Sequence, residues 1–181
     1  MRKECYEEAR KKALEFYEKA AIVLTEEEKA AIEIADFGLE DLEHIGLILV
    51  TFVNTDRCCA KEMVLFPGQT CPEHCHGPIP ELHYEGKEET FRCRYGSVYL
   101  YVEGEETANP LGKKPEGYEG TYTVGHEIVL RAGEQYTLVP NTKHWFQAGP
   151  EGAVISEFST KSLDEYDVFT DPKINRTPVI E

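Results

Sequence analysis

At 181 residues and 41% hydrophobic, the chain is long enough to enclose a full core. Its 34 acidic residues against 19 basic ones give a formal net charge of −15, which argues against nucleic acid and anionic membranes, because both call for clustered Lys and Arg. Small neutral ligands remain compatible with that balance. No internal repeat and no Pro/Gly/Ser linker divides the chain, so a single domain over 1–181 is expected, with a helical segment 1–45, a β core 46–160 and a tail 161–181. The opening MRKECYEEARKK lacks the apolar core of a signal peptide, and no run approaches the ~20 apolar residues of a membrane span. A cytoplasmic protein is expected, with its six cysteines (Cys5, Cys58, Cys59, Cys71, Cys75, Cys93) reduced.

In chain order, Tyr6, Ala9, Ala13, Tyr17 and Ala20 recur in steps of three and four, which predicts an amphipathic helix over 2–21. Thr25 followed by Glu28 forms a capping box and opens a second helix, expected to run to about Ala35. Both apolar faces need cover, from a sheet or from a partner subunit. From Gly46 the texture becomes short β-rich runs, predicting strands at 47–54, 58–66, 88–95, 97–103, 127–131, 135–139 and 153–159. Many short strands with glycine turns indicate an antiparallel sandwich or barrel, with the Pro/Gly-rich stretch 105–120 as a rim loop.

The chemistry concentrates in 68–96. His74 and His76 are one residue apart, so in an extended strand they share a face about 7 Å apart and can close on one metal ion while Cys75 points away. Alternation along Glu89, Phe91, Cys93 and Tyr95 turns Glu89 inward and leaves Arg92 and Arg94 in water. Glu89 is then a third ligand, and His144, which follows a strand and a Pro-Asn turn, a fourth. Imidazole with carboxylate suits Mn, Fe, Co, Ni or Zn. A competing zinc site would use Cys71, His74 and Cys75, although no second Cys pair sits at finger or ribbon distance.

Gly68, five residues, His74-x-His76, then Glu89 with six residues to Gly96 resembles the first cupin motif, and Gly133 through Pro140 to His144 resembles the second. Two departures stand out: twelve residues rather than three or four separate His76 from the glutamate, and Thr142 replaces the usual glycine after the proline. The first raises Glu88 as an alternative, which parity and the spacing to Gly96 decide for Glu89. Within the cupins the chain is most similar to the D-lyxose isomerases, through HCH, Lys87 two residues before Glu89, ISEFST with Glu157, the group Asp164, Asp167 and Phe169, and the ending INRTPVIE. The resemblance implies a mainly β cupin (double-stranded β-helix or jelly-roll) barrel with N-terminal α-helices, and a manganese-dependent aldose–ketose isomerase, usually dimeric. It further implies D-lyxose and D-xylulose as the sugar pair, with D-mannose and D-fructose as further candidates.

Such a reaction takes a proton from the carbon beside a carbonyl and returns it to the adjacent carbon. Glu157, the only ionisable group in AVISEF, is the expected base, with partial desolvation raising its pKa; the competing reading is a solvent-facing glutamate. Lys87 is expected to touch a sugar oxygen or relay a proton, against a plain turn lysine. Asp167 and His83 are further candidates for contacting hydroxyls, against surface or capping roles. Three rivals remain open: a cupin sugar-phosphate isomerase, for which the legible inward faces offer only Lys87; a cupin dioxygenase; and a non-catalytic sugar-binding cupin.

Overall fold

The computed structural model describes residues 1–177; residues 178–181, the last part of INRTPVIE, lie outside the described residues. Helix α1 spans Lys3–Lys19 and buries Ala9, Ala13, Phe16 and Tyr17. The two alanines allow a close approach to the outer face of the sheet, where the helix meets Ile48, Val50, Val64, Phe66 and Val154. Its apolar stripe is therefore covered by the same chain. The second helix, α2, covers only Glu26–Ala30 and carries the predicted capping box.

Here the sequence expectation of a helix to Ala35 fails. Glu33–Ala35 is instead strand β1, paired antiparallel with β2 in the register Ile34↔Ile48. The reason is two-sided burial: Ile34 packs into the helix-side cluster and Ala35 into the barrel interior. Only an extended chain puts consecutive residues on opposite faces.

The remaining strands are β2 Leu47–Asn54, β3 Cys59–Leu65, β4 Thr70–Cys75, β5 Glu89–Val102, β6 His126–Arg131, β7 Gln135–Leu138, β8 His144–Ser159 and β9 Val168–Phe169. They run in the order β1-β2-β3-β8-β4-β9, and β5 joins β6, β7 and β8. The sheet curls into the expected cupin barrel with N-terminal helices. Two predicted strands, 88–95 and 97–103, are one continuous β5, and the predicted 153–159 is the second half of β8. Both long strands bend at a glycine in the left-handed region, Gly96 (φ 70°) and Gly152 (φ 79°). A Cβ on Gly96 would stand 1.9 Å from the Gly152 carbonyl oxygen, so nothing larger fits that crossing.

Outside the barrel, under the rim loop, the ring of Trp145 stacks on Tyr101 with centroids 3.8 Å apart and donates Nε1–H to the Val124 carbonyl at 3.0 Å. The tail does not hang free. It crosses the barrel end through a 3-10 turn at Asp164–Tyr166, adds β9 to the edge of β4, and returns to the N-terminal segment, where Asn175 N–H donates to the Phe37 carbonyl at 2.8 Å.

Beneath α1, Glu62 is buried; Oε1 accepts from Ser156 Oγ at 2.6 Å and Oε2 has no partner. Burial pushes its carboxyl pKa up, against the pull of Ser156 and Arg94. A raised folded pKa means that the folded state holds the proton more tightly, so stability falls as pH rises from the ordinary carboxylate range through the raised value. An amide costs less to bury than a carboxylate. Glu62→Gln is expected to raise Tm at pH 7, at about 2–4 °C per kcal/mol gained, and to raise it less near pH 4; thermal melts at the two pH values check this.

Candidate active site

Strand β4 carries His74 inward, and His76 follows one residue beyond its end. The antiparallel register of β4 with β8 sets His74 opposite His144. Glu89 begins β5 opposite Leu138 of β7, after which a turn brings the chain back to His144. In that turn the left-handed residue is Asn141 (φ 64°), which explains why Thr142 can stand where cupins usually have glycine. Thr142 Oγ1 closes the turn by donating to the Val139 carbonyl at 2.8 Å.

All three imidazoles commit Nδ1 to an acceptor. His74 Nδ1 lies 2.7 Å from the Pro72 carbonyl, His76 Nδ1 2.5 Å from Asp167 Oδ1 and His144 Nδ1 3.0 Å from the Thr142 carbonyl. With Nδ1–H donating, each Nε2 keeps its lone pair for another partner. His76 Nε2 and His144 Nε2 stand 3.3 and 3.1 Å from Glu89 Oε1. None of these three buried atoms has a hydrogen-bond partner. They converge on a common point without bonding to one another, as ligand atoms around a cation do. His74, His76 and His144 form a buried group able to hold a metal ion, with ligand atoms within 4.8 Å of one another. Among the described residues no cysteine joins a group of this kind, so the zinc alternative through Cys71 and Cys75 has no support.

Beside this group lies a small cavity of about 30 Å³. Its walls are apolar at Phe37, Leu47, Leu49, Met63 and Phe146, and charged at its other end. Lys87 Nζ lies 2.8 Å from Glu89 Oε2 and 3.2 Å from Glu157 Oε1. Burial opposes the charge on Lys87, but Glu157 and Glu89 outweigh it and hold the ammonium well above the usual lysine pKa. Burial likewise opposes Glu89, but Lys87 and His76 hold it well below the usual carboxylate range. Glu157 is buried as expected, yet it is not isolated: besides Lys87 it has Lys61 Nζ at 4.0 Å and the Ser159 hydroxyl at 3.2 Å.

Several placements differ from the sequence reading. Lys87 is not the only inward cation, because Lys61 and Arg176 also line the cavity. Strand parity could have found Lys61, which shares the inner face of β3 with Met63. Arg176 and Asp164 come from the tail, where no periodicity assigns a face. Asp167 lines the cavity but spends one oxygen on His76 Nδ1. His83, expected near the sugar, is exposed in a left-handed conformation after a 3-10 turn and does not line this cavity.

An antiparallel barrel of this kind is the cupin framework, and the comparisons with known proteins fall among cupin-like sugar isomerases. The fold matches L-ribose isomerase of Acinetobacter sp. DL28 in complex with L-ribose at TM-score 0.79 and 19% identity, covering 100% of this chain and 98% of that one. It also matches the ligand-free L-ribose isomerase of Cellulomonas parahominis at TM-score 0.78 and 18% identity, covering 97% and 95%. At such identities the likeness is one of fold. Whole-chain sequence similarity is more specific: 61% identity over 181 residues to D-lyxose/D-mannose isomerase of Thermosediminibacter oceani, covering 100% of this chain and 99% of that one. Identity to D-lyxose ketol-isomerase of Cohnella laeviribosi is 59% over 176 residues, 97% and 96% of the two chains. The family model for D-lyxose isomerase matches residues 10–181, and the chain belongs to that family of sugar isomerases.

The convergence of three imidazoles predicts that His144→Ala, measured by elemental analysis of purified protein, loses most of the about one divalent ion per chain expected for such a ligand set. Full occupancy in that variant would remove His144 from the set.

Proposed function

We propose that the protein interconverts D-lyxose and D-xylulose, with D-mannose and D-fructose as a further pair, as a divalent-metal-dependent aldose–ketose isomerase acting through an enediol. The observation that carries this reading is the buried Glu157–Lys87–Glu89 ion-pair chain directly beside the three buried imidazoles, joined to them through Glu89. The substrate pair rests on the relatives, which are named for D-lyxose and D-mannose.

His74, His76, His144 and Glu89 would hold the metal, whose contribution when bound is Lewis-acid stabilisation of negative charge on two adjacent sugar oxygens. Mn2+ is our assignment, and Co2+, Fe2+, Ni2+ and Zn2+ suit the same donors. Glu157 takes the proton from the carbon beside the carbonyl, electrons shift to form the carbon–carbon double bond, and the former carbonyl oxygen takes up the negative charge of an enediolate. The proton then held by Glu157, exchangeable with solvent while the enediolate lasts, is delivered to the former carbonyl carbon, the proton of the second hydroxyl passes to the first oxygen, and the isomerisation leaves Glu157 as it began. Lys87, buried between two carboxylates, is held as an ammonium. Its part is to donate a hydrogen bond to a substrate oxygen, and the ion pair also fixes the direction of the Glu157 carboxylate. Asp167 orients His76, and its remaining oxygen is free to accept from a sugar hydroxyl.

The sugar-phosphate alternative lacks support, because each cation lining the cavity is already bound to a carboxylate: Lys61 to Asp164 at 2.7 Å, Lys87 to Glu89, and Arg176 to Glu33 and Asp164. A dianionic phosphate would meet no uncommitted positive charge there.

A homodimer is part of the proposal. Since α1 is covered by its own sheet, the surface that favours it is the uncovered outer end with Phe158 and Val53, 50% and 38% exposed. Light scattering that returns a monomer mass at micromolar concentration would exclude it. A cytoplasmic setting fits the six unpaired cysteines, and among the described residues no helix is long and apolar enough to cross a membrane.

Metal-stripped protein assayed on the four sugars, with each divalent ion restored in turn, tests the activity as a whole. Glu157→Gln is expected to keep metal binding and sugar affinity while kcat falls by ~10²–10⁴-fold. In D₂O the native enzyme should bring deuterium into the product at C1 or C2. A product without solvent deuterium, made by an active Glu157→Gln enzyme, would replace proton transfer with a hydride shift.

A further inference from the structure

Next to His74, on the opposite side of β4, Glu73 is 1% exposed and its carboxylate accepts four hydrogen bonds. Oε1 accepts from Thr123 Oγ1 at 2.7 Å and from Thr170 Oγ1 at 2.6 Å. Oε2 accepts from the backbone N–H of Thr123 at 2.5 Å and of Val124 at 2.9 Å. Every partner is a donor and no cation lies among them, which matches the acceptor-only character of a carboxylate. Nothing in the proposed chemistry uses this group.

What it holds matters to the site. Thr170 is gripped twice, because its backbone N–H also donates to the Glu73 carbonyl at 3.0 Å. Just before it, β9 is only two residues long and pairs His74 with Phe169 and Cys75 with Val168. So short a ladder does not fix its own register, and a slip by one residue would turn every side chain to the other face. Yet the register decides two contacts with the imidazoles. Asp167 Oδ1 must reach His76 Nδ1, and the Phe169 ring must lie over His74, where the centroids are 5.3 Å apart. The other end of this strap is tied separately, by Lys61 to Asp164 and by the Asn54 amide to the Ser162 carbonyl at 2.9 Å.

We propose that Glu73 is a positioning residue: by gripping Thr170 it fixes the register of the 164–170 strap, and so sets the affinity of the imidazole group for a divalent cation through Asp167 and Phe169. The affinity part rests on the reading that His74, His76 and His144 hold a metal. The latch itself is a statement about the strap alone. Partners behind metal-bound histidines are typically worth about 10–100-fold in affinity, and Glu73 acts one step further out, on the segment that carries such a partner.

Two isosteric variants separate the latch from general stability. Thr170→Val deletes the side-chain bond to the strap, while Thr123→Val deletes one of the three bonds to the 123–124 loop and leaves the strap held. Mn2+ titrated into the metal-stripped full chain gives the dissociation constant, and backbone hydrogen exchange gives the protection of 164–170. Thr170→Val is expected to weaken Mn2+ binding about 10-fold and to speed exchange across 164–170. Thr123→Val is expected to lower Tm while leaving both readouts near native. In an Asp167→Asn background, Thr170→Val should weaken binding by clearly less than it does alone. Equal weakening by Thr123→Val and Thr170→Val, or native affinity and native exchange in Thr170→Val, would overturn the proposal. If the native chain binds no Mn2+ or other divalent ion, the metal reading fails, and the exchange of 164–170 in Thr170→Val still decides the latch.

Discussion

The structure depends on one bent ladder. Strands β5 and β8 pair from Glu89↔Ser159 to Val102↔His144, a span of about 45 Å were it straight. Yet the two ends supply Glu89 and His144, whose facing atoms are 3.1 Å apart. The ladder must therefore double back, and it does so where Gly96 and Gly152 cross with no room for a Cβ. On one side of the bend β5 runs between β7 and β8, and on the other between β6 and β8. The imidazole group is a consequence of that corner. A side chain at Gly96 would separate the two halves of the barrel before it touched any functional residue.

Inside the corner, charge is handled differently from the surface. The whole chain is strongly acidic, with a formal net charge of −15, but the cavity alternates signs: Glu89, Lys87, Glu157, Lys61, Asp164 and Arg176 form a chain of ion pairs. Buried pairs of this kind are weak contributors to stability, since desolvation offsets most of their attraction. Their presence is better explained by the work they allow, because against the cost of burial Lys87 and Lys61 hold the Glu89 and Asp164 carboxyls well below the usual carboxylate range, and Lys87 aims Glu157 in a place that water reaches poorly. A divalent cation beside Glu89 would add to that balance.

How much of this could be read in the sequence follows from the range of each signal. His74, His76 and Glu89 are assigned faces by alternation of period two, a local property, and the structure brings them together with His144. The Thr25 capping box is equally local. Ile34, the middle residue of β1, reads as helical in the sequence because it and Ala35 are buried on opposite faces, which leaves no polar alternate after Glu33 to mark a strand. Breaks placed at Gly96 and before Ala153 mistook bends for turns, since glycine punctuation is the same in both. Glu73, Asp164 and Arg176 owe their roles to contacts made across long sequence separations, by segments whose own pattern is featureless. His83 shows the converse error: a chemically suggestive residue near the motif sits at an exposed turn, because proximity along the chain says nothing about which side of a loop faces inward.

The chain contains one tryptophan, and it is Trp145, the residue after His144. Its ring is 1% exposed, stacked on Tyr101, and its Nε1–H is spent on Val124, whose own N–H is held by Glu73. The protein thus carries a single built-in fluorophore, wired on one side to the imidazole group and on the other to the strap. Its emission reports on that neighbourhood alone, undiluted by indole signal from elsewhere.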